Sequence, residues 1–76
     1  MSLNAKEIQE AIDQALGDVV AGLFKGLFGN LIEARAKMPS QDAMTADQAK
    51  AAFARSFTLA CECHEFASAK AAEIVK

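Results

Sequence analysis

Apolar side chains recur every three or four positions along most of the first half of the chain. Asn4 followed by Glu7 is a capping-box pattern for the start of a helix. Arg35 and Lys37 carry the charge that the last turn of a helix favours. The spacing and these two ends predict one long helix, helix 1, over about 4–37. The recurring residues are Ile8, Ile12, Leu16, Val20, Leu23, Leu27, Leu31 and Ala34.

The pattern is interrupted at Pro39, which disfavours helical geometry in the residue before it and lacks a backbone donor. Thr45 followed by Gln48 supplies a second capping box. The alanine-rich sequence after it has high helix propensity. We therefore predict a loop over 38–45 and a second helix, helix 2, over about 46–75.

Two helices of similar length joined by a short loop predict an all-α antiparallel helical hairpin, a single domain over residues 1–76. The alternative concerns the glycines, which all lie in helix 1. The pair Gly29-Asn30 is also typical of a helix C-terminus or a turn. A break there would give a three-helix layout with a short helix over 31–37. The straight hairpin is the preferred prediction.

Helix 1 carries a second apolar row, Phe24, Phe28 and Ile32, beside the leucine row. Together the two rows make the segment 19–32 apolar around most of its circumference, and helices of that kind are normally buried. One partner helix covers only one side. A chain of 76 residues also rarely builds a sufficient core alone. We therefore expect two hairpins to pair into a four-helix-bundle homodimer.

The same surface provides the candidate contact residues. Gly22 and Gly26 are four apart, which allows close backbone approach and predicts tight helix packing, for example where two subunits cross. A groove for a different protein and insertion into a membrane surface are alternative interpretations of this stretch. The candidates for partner or subunit contact are Leu23, Phe24, Leu27, Phe28, Leu31, Ile32, Leu59 and Phe66.

One cluster in helix 2, Cys61, Cys63 and His64, has side chains of the types that bind metals. Successive helical residues are separated by about 100°, so the two cysteines point apart. Cys61 and His64 share a side but offer two ligands, whereas a closed zinc site needs four. We predict no metal site and no cofactor. Cys63 and Ile74 are expected on the inner face, and His64 as a partly buried packing residue with one hydrogen bond.

Charge and motif content exclude other function classes. The net charge of -2 is spread evenly, without the basic face that nucleic-acid binding requires. The chain contains no phosphate-cradling glycine loop and no nucleophile elbow, so we expect no enzymatic activity. The first ten residues do not resemble a secretory signal. The longest apolar stretch, Val19 to Ile32, is shorter than the roughly 20 residues of a membrane span. The expected location is cytoplasmic.

These observations predict a small non-enzymatic protein–protein interaction module: an adaptor, inhibitor or regulator that acts through an apolar helical face. Two alternatives belong to other classes. The first is an amphipathic protein that inserts the same residues into a membrane surface, which the acids in helix 1 disfavour. The second is a metal- or redox-responsive helical dimer that uses Cys61 and His64.

Overall fold

The computed structural model describes residues 4–38 and 41–74. Within them the chain forms two helices, α1 (Ala5–Ala34) and α2 (Ala46–Ile74). The side chain of Gln9, near the start of α1, donates a hydrogen bond of 3.0 Å to Ser68, near the end of α2. The helices are therefore antiparallel, which confirms the predicted all-α hairpin. The molecule is elongated, with extents of 56 × 19 × 13 Å.

Both predicted helix starts are confirmed by their caps. The Asn4 side chain accepts a hydrogen bond of 2.8 Å from the Glu7 backbone N–H. At α2 the capping box is reciprocal. The Gln48 N–H donates to the Thr45 hydroxyl at 3.1 Å, and the Thr45 N–H donates to the Gln48 side chain at 3.0 Å. Each pair satisfies backbone donors that have no partner within the helix.

The end of α1 lies three residues before the predicted one, at Ala34 instead of residue 37. Arg35 has φ −97° and ψ 2°, outside the helical region, and its N–H is shared between the carbonyls of Leu31 and Ile32. The chain thus tightens and leaves the helix. Arg35 and Lys37 consequently lie beyond the last turn, which contains no basic residue. The predicted break at residues 39 and 40 falls outside the described residues.

The helix α1 is continuous through Gly29 and Asn30, so the three-helix alternative is wrong. Among the described residues no residue has a positive φ, which is the geometry that a glycine C-cap requires. α2 extends to Ile74, and the predicted last residue, 75, lies outside the described part.

The predicted stripe of α1 faces α2, and every member of it is half-buried. Facing it are mainly small residues of α2, and Ala49 and Ala71 are the only described residues that are fully buried, at 2% and 9% exposure. Near the loop, the rings of Phe53 and Phe57 stack with their centroids 5.8 Å apart. The hairpin therefore has a thin contact seam, and none of its described residues is a large side chain that is buried.

Candidate protein-interaction surfaces

An open apolar groove runs along one side of the hairpin, between α1 and α2. Its volume is about 470 Å³. Val19 and Leu59 are its most exposed large side chains, at 50% and 59%. The floor and walls are almost entirely apolar, which suits contact with another apolar surface. The lining residues are Ile12, Ala15, Leu16, Val19 and Leu23 from α1, and Ser56, Leu59, Ala60, Cys63, His64 and Ala67 from α2.

The second apolar surface is the row of Phe24, Phe28 and Ile32 on α1, called here the Phe24 row. All three side chains are more than half exposed. Phe24 and Phe28 follow Val19 by five and nine residues, which turns them about 140° and 180° away from it around the helix. The Phe24 row therefore lies off the groove, and none of its members lines it. The hairpin thus has two separate apolar surfaces.

The predicted contact residues consequently do not form one patch. Leu23, Leu27 and Leu31 are half-buried in the stripe that faces α2. Leu59 lines the groove. Phe66, seven residues after Leu59 and so on the same side of α2, is 66% exposed, with the Lys70 Nζ 5.7 Å from its ring centroid. The sequence identifies these residues as apolar but does not show that they divide between two sides.

Gly22 and Gly26 do not mediate close packing between α1 and α2. A Cβ atom placed on either residue would have nothing within 4 Å, and the same holds for Gly17 and Gly29. The glycines therefore leave open space on the surface of α1. Close packing at Gly22 and Gly26 against a second subunit stays a prediction.

A polar cluster that the sequence did not reveal joins the two helices. His64 Nε2 lies 2.7 Å from Asp13 Oδ1, and the Gln9 side chain donates to the same oxygen at 2.9 Å and to Ser68 at 3.0 Å. The hydrogen bond from His64, followed by that from Gln9, lowers the pKa of Asp13. The i, i+4 spacing of Gln9 and Asp13 is visible in the sequence, whereas their pairing with α2 depends on helix register.

His64 is half-buried and makes this one hydrogen bond, as predicted. The predicted inner-face position of Cys63 is wrong. Cys63 is exposed and Cys61 is half-buried. Ile74 is 77% exposed, because it lies in the last turn of α2, beyond the level at which α1 begins. Helix spacing assigned a direction to these side chains but not the depth of cover over them.

Metal binding gains no support from this arrangement. Within residues 4–38 and 41–74, no three His, Cys, Asp or Glu side chains are placed to hold one metal ion together. Both Cys61 and Cys63 are free thiols. The metal hypothesis pairs His64 with Cys61 as ligands. In the structure the His64 side chain instead contacts Asp13 across the hairpin.

The helix α1 is long and apolar enough to cross a membrane by length and composition. A window of 18 residues within Ala5–Ala34 has a mean hydropathy of 1.4, and none of it is buried. This differs from the expectation drawn from the apolar stretch Val19 to Ile32, because an average over 18 residues also takes in the flanking residues and tolerates a charge among them. Core helices of soluble proteins share this property. The observation therefore shows that α1 is apolar and does not show what surrounds it.

Comparisons of the chain with protein-family models, with curated proteins and with solved structures found no match.

Proposed function

We propose that this protein is a non-enzymatic protein–protein interaction module that acts through its exposed apolar helical surfaces. The observation that carries the proposal is the imbalance of burial. The two buried residues of the described chain are alanines, while Phe24, Phe28 and Leu59 are each more than half exposed. Large apolar surfaces that water covers in a single chain are typical of sites that another protein covers.

The accessible surface of the hairpin supports the same proposal. It measures 6035 Å², whereas a compact monomer of 8.1 kDa exposes about 4500 Å². The excess is roughly 1500 Å² per chain, and a specific interface buries about 800 Å² on each partner. The Cα radius of gyration, 17.1 Å against about 11 Å for a compact chain of this length, has the same origin. Association would remove this excess.

Pairing of two hairpins into a four-helix-bundle homodimer is the architecture that we propose for this association. Each hairpin already presents two long antiparallel helices with exposed large apolar side chains on their outer sides. Stacking two such layers converts exposed sides into a shared core, which is how short helical chains reach sufficient burial. A second apolar surface on each subunit then remains for the regulated or recruited protein.

The proposed function is tested by photo-crosslinking in the native cell. A photoreactive phenylalanine analogue replaces Phe28, and the control places it at Thr58, an exposed polar position of α2. We expect a discrete protein adduct from position 28 and none from position 58. The adduct protein is then purified and titrated with the wild-type chain and with F24A/F28A. Loss of two aromatic contacts should weaken binding by roughly 30-fold or more.

Two results would contradict the proposal. One is the same adduct pattern from both positions, which would indicate random collision. The other is equal affinity of wild type and F24A/F28A for the captured protein, because the Phe24 row would then contribute nothing to recognition. A circular-dichroism spectrum of each variant confirms that the helices are retained.

A second candidate function, insertion of α1 into a membrane surface, is favoured by one observation, the apolar window described above. Its support is reduced by the charges on α1, since membrane-surface helices usually present a strongly cationic polar face and this helix carries acids such as Asp13 and Asp18. Co-flotation with vesicles of phosphatidylcholine and phosphatidylglycerol tests it. Recovery with the vesicles supports membrane binding, and recovery of all protein at the bottom of the gradient rejects it.

A further inference from the structure

We propose that a second copy of this chain covers the groove and that the Phe24 row is left for a different protein. The inference rests on the proposed function and deepens it, because it assigns one occupant to one surface. Three observations support a second copy: the spacing of the residues on the groove side, their sizes and the distribution of charge.

The groove side of each helix has the spacing of a helix–helix packing seam. On α1 the positions alternate by four and three residues, and on α2 they do the same. Alternation of this kind keeps a row of side chains on one side of a helix over several turns. Because Val19 and Leu59 both line the groove, the two rows face the same side of the hairpin. The α1 row is Ala15, Val19, Gly22 and Gly26, and the α2 row is Ala52, Ser56, Leu59, Cys63 and Phe66.

The two rows complement each other in size. The α1 row is small, and a Cβ atom on Gly22 or Gly26 would meet nothing within 4 Å. The α2 row carries two protruding side chains, Leu59 and Phe66, which are 59% and 66% exposed. When α2 of one copy lies across α1 of the other, large side chains enter the space over small ones. A two-fold axis makes this contact twice, which is the self-complementarity of an isologous dimer.

Charges border the groove side, at Arg55 and Glu62 beside Leu59 and at Glu33, seven residues after Gly26, but do not lie within its two rows. Neither row contains an ionisable carboxylate, lysine or arginine. The other flank does, because Glu10, Gly17 and Phe24 are spaced by seven and therefore lie on nearly the same side of α1. Burying that flank against its own copy would bring like carboxylates toward an apolar core, which is costly. The excess surface of roughly 1500 Å² per chain exceeds the roughly 800 Å² that a standard interface buries on each partner, so area remains for a second partner.

A matched pair of glycine substitutions tests the assignment. Gly26→Glu places a carboxylate in the groove-side row, and Gly17→Glu places it on the flank of the Phe24 row. Both positions are helical, and both have open space in the hairpin, so neither change clashes within one chain. We expect light scattering to give a two-chain mass for wild type and G17E. For G26E we expect a one-chain mass, with self-association weakened by at least about 100-fold.

The outcomes separate this inference from the proposed function. A one-chain mass for wild type at high micromolar concentration overturns the second copy but leaves recognition of another protein untouched. A two-chain mass for wild type and G26E, with or without loss in G17E, shows that the subunits meet elsewhere and overturns the groove assignment. If the analogue at position 28 gives no protein adduct while wild type has a two-chain mass, only the proposed function is contradicted.

Alkylation of the two native thiols gives a second readout, which needs no introduced label. Cys63 lines the groove and is exposed in the hairpin, whereas Cys61 is half-buried and does not line it. We expect alkylation of Cys63 by iodoacetamide to be at least about tenfold slower in wild type than in G26E, with little change at Cys61, because a second copy excludes the reagent from the groove. The inference would be overturned if wild type has a two-chain mass and its Cys63 is nevertheless alkylated as fast as Cys63 of G26E.

Discussion

The imidazole Nε2 of His64 lies 2.7 Å from the carboxylate Oδ1 of Asp13, and this contact joins the two helices of the hairpin. Gln9 donates to the same oxygen at 2.9 Å. The three side chains and Ser68 form a polar connection between helices whose described contact seam consists mainly of aliphatic and small residues. Buried apolar contacts have no preferred direction, whereas hydrogen bonds do, so this cluster favours one register of α1 against α2.

The hydrogen bonds to Asp13 make the stability of the hairpin depend on pH. They lower the pKa of Asp13, so the stability from this group is present above its unfolded pKa of about 4 and is lost as the pH falls through the lower folded value. Asp13→Asn removes this dependence. We expect thermal unfolding to give a lower Tm for D13N than for wild type at pH 6, with the difference shrinking as the pH falls below about 4. Asp18→Asn, at an exposed acid of the same helix, should not show this convergence; identical curves for D13N and wild type would contradict the prediction.

The buried position of Ala49 predicts that α2 cannot accept a larger residue there. Ala49 is 2% exposed, and Ala51 on the same helix is exposed. We expect Ala49→Val to lower the free energy of unfolding by about 1–3 kcal/mol through overpacking. Ala51→Val should cost only the difference in helix propensity, about 0.5 kcal/mol. Urea denaturation at one fixed protein concentration measures both, and equal losses would show that Ala49 is not at a tight contact.

The reciprocal cap at Thr45 predicts a measurable contribution to stability. Its hydroxyl accepts from the Gln48 N–H at 3.1 Å. We expect Thr45→Ala to lower the free energy of unfolding by about 1 kcal/mol, and Thr45→Ser to retain most of it, because serine caps equally well. Thr58, an exposed residue in the middle of α2, is the control. T58A should be neutral or slightly stabilising, and a loss there equal to that of T45A would remove the capping explanation.

The continuity of α1 through Gly29 predicts that alanine is better than glycine at this position. The residue is helical and a Cβ atom meets nothing within 4 Å, so Gly29→Ala gains helix propensity without a clash. We expect the free energy of unfolding to rise by up to about 1 kcal/mol, with a similar gain for Gly17→Ala. A loss of stability in G29A alone would indicate a turn at Gly29-Asn30, as in the three-helix layout.

Features that depend on a few neighbouring residues were predictable. Asn4 and Thr45 mark both helix starts because a cap needs only the side chain and a backbone N–H three residues later. The end of α1 was predicted three residues too late, because the basic residues that suit a last turn do not by themselves hold one. The helix ends at Ala34 because the chain leaves helical geometry at Arg35 on its way to α2.

Features that join distant parts of the chain were not predictable from spacing. The contact joins Asp13 and His64, which are 51 positions apart in the sequence, and it depends on the register of α1 against α2. The exposure of Cys63, which was predicted on the inner face, was missed because the rotation of α2 about its axis decides which side meets α1.

The sequence by itself determined two helices, their starts and the apolar excess of helix 1, since propensity, capping and periodicity are local properties. Only the tertiary structure decided how that excess is divided. Packing the predicted stripe of α1 against α2 leaves Val19 and Leu59 on one side and Phe24 on the other. The physical reason is rotational: a helix pattern specifies the angles between side chains, and the partner helix sets the direction from which those angles are measured.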